Sequence, residues 1–300
     1  ISRGGLMFPI IPANSVAEAA GNQEGIFGYG YTPVQNLSMT NLVSNTGVVA
    51  TDVAGVGTAR SGLAACEYGE DKGIFGYGNG SVTAITNLVS NTGVVATDTA
   101  GVGTAREYLA ACSYGEDKGI FGFGYGPLSM TNLVSNSGVV ASDVAGVGTA
   151  RYFPAACEYG EDKGIFGFGS TGSATAITNL VSNTGVVATD TAGVGSARAA
   201  LAACSYGGDK GIFGFGSGAA PYSGESNLVS NTGVVASDVA AVGTSRYYLA
   251  ATQYGGDKGI FGYGSGYNGE TNLVSNTGVV ATDTTGVGTS RAYIAACSFN

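Results

Sequence analysis

"YGEDKGIFGYG", residues 68–78, decides the fold because it returns along the chain. Variants stand at 114–124, 159–169, 206–216 and 254–264, and a worn copy, "NQEGIFGYG", at 22–30. Counted from the first Gly of each "GIFG", the repeats start at Gly25, Gly73, Gly119, Gly164, Gly211 and Gly259, at spacings of 48, 46, 45, 47 and 48 residues. Each also carries "NLVSN", "GVVA", an Asp and an Arg eight residues after that Asp. A period in the high forties, built of short turn-bounded apolar runs, suits the four strands of one propeller blade and is too strand-like for paired helices.

Within one period we read four strands, a to d: "LAACEY" (63–68), "GIFGYG" (73–78), "TNLVS" (86–90) and "VVATDTAGVG" (94–103). The a–b turn "GEDK" and the c–d turn "NTG" are rich in residues that tolerate left-handed backbone. Strands a and b, apolar on both faces and rich in Ala and Gly, fit the crowded inner part of a blade. The first repeat has no good strand a, since "NSVAEAAGNQE" precedes Gly25, whereas the chain finishes on an unpartnered "AYIAACSFN" (292–300). The expected fold is therefore all-β: a six-bladed β-propeller over residues 21–300, four antiparallel strands per blade, with the C-terminal strand closing the first blade and removing exposed edges. Residues 1–20 form an N-terminal arm outside it.

Composition narrows the function. Gly is 53 of 300 residues, charged residues are only 11% and the formal net charge is −9, which disfavours phosphate backbones and anionic lipid as partners. No apolar run is long enough to span a membrane, and "LMFPIIP" (6–12) does not read as a signal peptide, so a soluble chain is expected. Histidine is absent, which removes Ser–His and Cys–His dyads and histidine metal sites. No catalytic residue, metal or cofactor is expected. "NLS" (36–38) and "NGS" (79–81) match the N-glycosylation acceptor pattern at Asn36 and Asn79.

At "RSGLAAC" (60–66) followed by "KGIFGYG" (72–78) the sequence resembles kelch-repeat propellers, in which an Arg precedes an inner small-residue strand and the next strand ends in a Gly doublet. Here the doublet is Gly76-Tyr77-Gly78, and the chain has no Trp. The wording "TNLVSNTGVVATDTAGVGTAR" with "YGGDKGIFGFG" also looks like repeats of predicted tail-associated proteins of aquatic bacteriophages. The resemblance implies a propeller of about 280 residues that binds ligands on the rim carrying the d–a junction.

Four series recur once per repeat. Cys66, Cys112, Cys157, Cys204 and Cys297, with Thr252 in the sixth place, read as small buried residues, since equivalent strands stacked about 10 Å apart lie beyond disulfide reach. Asp71, Asp117, Asp162, Asp209 and Asp257 belong to the a–b turn. Asp52, Asp98, Asp143, Asp190, Asp238 and Asp283 have backbone amides or the Arg series as expected partners. Arg60, Arg106, Arg151, Arg198, Arg246 and Arg291 stand at the d–a junction near the mouth of the channel, where they serve either packing between blades or capture of an anionic ligand.

Strand directions put the b–c and d–a loops on one face and the nearly invariant a–b and c–d turns on the other. The variable face also gathers Tyr31, Tyr108, Tyr125, Tyr152, Phe153, Tyr222, Tyr247, Tyr248, Tyr267 and Tyr293. Tyr offers a flat apolar face and a hydroxyl, suited to sugar rings and protein hot spots. The sequence thus points to a non-enzymatic recognition or structural module of a virion, such as a phage tail or fibre, or of another extracellular assembly. It would bind a surface glycan or partner protein through this rim and its own assembly through residues 1–20. The alternatives are an intracellular kelch-type adaptor gripping an acidic peptide with the Arg ring and, further off, a polysaccharide depolymerase. A consensus design fits the internal identity as well.

Overall fold

The computed structural model describes residues 23–218, 222–266 and 269–299; the expected arm at 1–20 lies outside them. All regular structure described is β, in six three-stranded antiparallel sheets and one short two-stranded pair. Each large sheet is a strand a, b and c in that spatial order. The first joins Ala295–Phe299, Glu24–Thr32 and Gln35–Val43; the second Ala64–Tyr68, Lys72–Gly76 and Thr86–Val89. The third joins Ala110–Tyr114, Lys118–Gly124 and Leu128–Val134; the fourth Ala155–Tyr159, Lys163–Gly167 and Thr178–Val181. The fifth joins Ala202–Tyr206, Lys210–Gly214 and Ser226–Val229; the sixth Ala250–Tyr254, Lys258–Gly262 and Thr271–Val274. The C-terminal strand pairs with the first, Cys297 opposite Ile26, in the register that Cys66 keeps with Ile74.

The expected fourth strand is not continuous. Segment d touches c only through isolated bridges, Val95 to Val89 and Thr99 to Thr86 in the second sheet. The reason is Asn87 of strand c, whose side-chain amide donates to the Ala96 carbonyl (3.0 Å) and to Asp98 Oδ1 (2.9 Å). A side chain thus takes a place that a ladder bond would otherwise fill, and the same Asn recurs in all six sheets, each fully buried.

Six apolar clusters hold the sheets together, each between consecutive sheets: the first and second share Ile26, Tyr29, Phe75 and Val89, and the sixth and first share Ile260, Tyr263, Phe27 and Val43. "GIFG" supplies the contacts. Its Phe is fully buried in every repeat, a burial worth about 1.5–3 kcal/mol per ring, and lies against the last Gly of the preceding sheet's copy. A Cβ on Gly76 would come within 2.7 Å of the Phe121 ring, and one on Gly262 within 2.8 Å of Phe27. The first Gly is equally constrained: a Cβ on Gly119 would meet Cys66 Sγ at 2.5 Å. Neighbouring sheets therefore approach at two points where no side chain fits between them.

The segments entering strand a meet at one end of the molecule. Tyr108 N–H donates to Gly62 O (2.7 Å), Phe153 to Tyr108 (2.8 Å), Ala200 to Phe153 (3.0 Å), Tyr248 to Ala200 (2.9 Å), Tyr293 to Tyr248 (2.9 Å) and Gly62 to Tyr293 (2.9 Å). All six residues are left-handed, with φ between 54° and 61°, a conformation that costs a bulky non-Gly residue free energy and that this cycle of hydrogen bonds sustains.

A Gly76→Ala substitution should force Phe121 from its site. Overpacking of this kind costs about 1–3 kcal/mol, read as a lower urea midpoint with an unchanged m-value.

Candidate functional site

The d–a junction is built from side chains that sequence reading had only partly connected. In the second sheet Arg60 Nε donates to the Tyr77 carbonyl (2.7 Å), Nη1 to the Thr58 carbonyl (3.1 Å) and Nη2 to Asn87 Oδ1 (2.7 Å). Its guanidinium lies 4.3 Å from the centroid of the Tyr29 ring in the neighbouring sheet. Asp98 then accepts the Thr58 amide (3.0 Å) and hydroxyl (2.7 Å). Arg291 repeats this across the joint between the chain's two ends, donating to Tyr29 O (2.7 Å) and Asn41 Oδ1 (2.8 Å), while Asp52 takes the Thr289 hydroxyl (2.7 Å).

This corrects the reading of the Arg series as an anion clamp. Arg60, Arg106, Arg151, Arg198, Arg246 and Arg291 are 0–1% exposed, each over an aromatic ring of the preceding sheet at 4.1–4.9 Å. A planar, multiply bonding cation fits between a ring face and an Asn better than it fits a channel mouth. Burial pulls the Arg151 guanidinium down to about 10, so it is still charged at neutral pH. The acidic-peptide reading loses its anchor, because a guanidinium sealed between sheets is out of reach of a peptide. Two members depart from this pattern: Arg198 Nη1 also reaches Glu225 (3.4 Å) and its Nε is buried without a hydrogen-bond partner, as is Arg151 Nη2.

The aromatic residues of the variable face do come together. Tyr108, Phe153, Tyr248 and Tyr293 stand on the left-handed backbone cycle, with ring centroids 4.2 Å apart for Tyr108–Phe153, 5.1 Å for Phe153–Tyr248 and 3.8 Å for the stacked Tyr248–Tyr293. From this centre the chain of rings runs outward both ways. Tyr125 touches Tyr108 (6.0 Å) and Tyr152 (5.4 Å), and Tyr222 stacks on Tyr247 (4.8 Å, 10° between planes), which meets Tyr248 (4.3 Å). Tyr125 and Tyr222 are 56% and 49% exposed; the central rings are half-buried, and burial raises the Tyr108 and Tyr293 hydroxyls above the ordinary tyrosine value. Tyr31 joins through the backbone, its amide bonding Ala292 O (2.8 Å). Tyr267 lies outside the described residues. Beside Tyr222 a cleft of about 710 Å³ is bounded by Ser173, Ser196, Arg198, Glu225 and Ser245.

The other series have local partners. The five thiols are free and buried, and burial pushes the Cys204 thiol up to about 12. In the a–b turns Asp117 pairs with Lys118 and accepts from Asn136 of the c–d turn (2.9 Å), tying the two hairpins of a sheet together. Among the described residues no group of three or more His, Cys, Asp or Glu side chains converges.

Three features escaped sequence reading. The Arg–Asn–Asp network was signalled by an Asn that never varies within "NLVSN". The backbone cycle left only a bulky residue, Gly or Ala two positions after each Arg. The polar position within strand a, Glu67 and its equivalents, was hidden because it varies. In comparisons with known proteins, no family model and no curated protein matches the chain.

The Asp series carries a pH dependence. Burial works against ionisation of Asp98, but hydrogen bonds from Thr58 and Asn87 and from the Thr58 amide outweigh it and hold the carboxyl below the usual range; Asp52, Asp143, Asp190, Asp238 and Asp283 are lowered for the same set of reasons. A carboxyl lowered on folding contributes stability that is fully present above its unfolded value and is lost as pH falls through its folded value. Stability should therefore hold near neutrality and decline below about pH 4, and Asp98→Asn should flatten that decline in urea unfolding followed against pH.

Proposed function

We propose that the chain is a closed six-bladed propeller acting as a non-enzymatic recognition module. Three features support closure: the cycle of six backbone hydrogen bonds, the packing of Phe27 on Gly262, and the docking of Arg291 in the first sheet as Arg60 docks in the second. Each blade then has three regular strands and a bridged fourth segment.

The observation that carries the function is the connected path of rings from Tyr125 across the centre to Tyr222, on the face where the repeats diverge. Rings half-buried at the base and exposed at the two ends form a rigid apolar platform edged by hydroxyls, and the cleft beside Tyr222 adds room for polar contacts. Such a surface suits the apolar face of a sugar ring, with hydrogen bonds supplied around it. We assign it a surface glycan as ligand, with a partner protein as the other class it would accommodate. The module belongs to a virion, such as a phage tail or fibre, or to another extracellular assembly, which residues 1–20 engage. This setting rests on the resemblance of the repeats and is a proposal like the function itself.

Binding of the purified chain to an array of bacterial and algal surface glycans tests the reading, with Tyr125→Ala and Tyr222→Ala alongside. Both side chains are exposed, so the variants should fold normally. Selective binding weakened about tenfold by either change is expected; a blank array against a folded chain would discard the glycan in favour of a protein partner. Deleting residues 1–20 should leave the melting temperature unchanged while abolishing incorporation into the assembly.

A further inference from the structure

The cleft beside Tyr222 interrupts the regularity of the d–a junctions. Its volume of about 710 Å³ falls within the ~300–1,000 Å³ of small-molecule sites. Ser173 lines it from the b–c loop of the fourth sheet, Tyr222 and Glu225 from that of the fifth, and Ser245 from the segment d that follows. One wall is stiffened by the short two-stranded pair, Arg198 opposite Gly218 and Ala199 opposite Ser217.

At the other five junctions the Arg Nε donates to the carbonyl of Tyr77 or its equivalent, and Nη1 to the carbonyl two residues before the Arg. Arg198 makes neither bond. Its Nη1 turns to Glu225 Oε2 (3.4 Å) and Asp238 Oδ1 (3.3 Å), and its Nε stays buried without a hydrogen-bond partner. Its distance to the ring centroid below it, 4.9 Å, is the longest of the six. Glu225 stands where the second and fourth sheets have Ile85 and Ile177. Glu270 holds the same place in the sixth sheet, yet Arg246 keeps both carbonyls there, so the departure belongs to this cleft. A junction that gives up two bonds kept by its five counterparts answers to a demand other than packing.

The outcome is a carboxylate fixed in the cleft wall. Ser223 Oγ donates to Glu225 Oε2 (3.2 Å) and accepts the Glu225 amide (3.0 Å). The Glu225 side chain is 36% exposed, and its Oε1 accepts from no described residue. The Ser173 and Ser245 hydroxyls likewise bond to no other described residue, and the Tyr222 ring is held by its stack on Tyr247.

Resting on the glycan reading of the platform, we propose that this cleft is the subsite that chooses the sugar, and that it takes a neutral pyranose. The apolar face of the pyranose lies on the Tyr222 ring. Its hydroxyls donate to Glu225 Oε1 and exchange hydrogen bonds with Ser173 and Ser245, which can each donate and accept. An acidic sugar is refused. Arg198 is already engaged by two carboxylates, Glu225 and Asp238, so the cleft wall carries an excess of negative charge that repels a uronic or sialic acid.

The purified chain is titrated, by ligand-observed NMR, with neutral trimers of glucose, mannose and galactose and with trimers of galacturonic and mannuronic acid. We expect at least one neutral trimer to bind, and the acidic trimers to bind about tenfold more weakly or not at all. Glu225→Gln should weaken the neutral trimer about tenfold and narrow the gap to the acidic ones, whereas Ser245→Ala should weaken it about threefold with the preference intact. Gln keeps the shape of Glu, and Asp238 still engages Arg198, so circular dichroism should report a folded variant. Glu116→Gln, in an exposed a–b turn, should change nothing. Binding lost in Tyr125→Ala but untouched by Glu225→Gln would overturn the cleft and leave the platform as the glycan site. A preference for the acidic trimers, or glycan binding on the array without any by the neutral trimers, would overturn the assigned sugar. A blank array together with silent trimers would discard the glycan reading itself and this subsite with it.

Discussion

The structure depends on the close approach of neighbouring sheets at "GIFG". A phenyl ring from one sheet occupies the volume that a side chain would fill on the next, and the thiol series does the same at the first Gly. Dense packing of this kind gains from every contact atom and tolerates no additional methyl group. The same four residues must therefore serve as both knob and hole, since each sheet has a neighbour on either side. Repetition of the phrase follows from that double role, and so does the near absence of variation within it.

Polar chemistry is organised around the same joints. The buried guanidinium stacks on the ring of one sheet and bonds to the Asn of the next, and the Asp holds the junction in place through Thr. A buried cation is acceptable where its donors are satisfied; at Arg60 two backbone carbonyls and an Asn oxygen satisfy them, whereas Arg151 Nη2 and Arg198 Nε are buried without a hydrogen-bond partner. The network also explains why segment d is ragged: Asn87 and its equivalents spend their amides on d carbonyls and on the Asp instead of leaving d free to form a ladder. Stability of the joints and irregularity of the outer edge have a single cause.

The two ends of the axis differ in what the shared strand leaves free. At one, four of the six left-handed residues of the backbone cycle, Tyr108, Phe153, Tyr248 and Tyr293, carry aromatic rings that pack together. At the other, Glu67 and its equivalents line a cavity of about 60 Å³. Constraint and freedom alternate along strand a: Ala64, Cys66 and Tyr68 are fixed by packing between sheets, while Glu67 lines the cavity and accepts from Ser298 (2.5 Å).

The sequence by itself determined the β class, the repeat boundaries, the pairing of the C-terminal strand with the first sheet, and the face on which aromatic residues collect. Each of these follows from period, turn residues and the alternation of strand direction, which are local properties. Tertiary structure decided the rest. The Arg series lies in the interior because an aromatic ring of the preceding sheet covers it, and that ring is more than thirty residues away in the chain for Arg60 and Tyr29. Whether segment d forms a ladder depended on where the Asn87 amide points. Local pattern records which residues a strand needs; only packing records what stands opposite them.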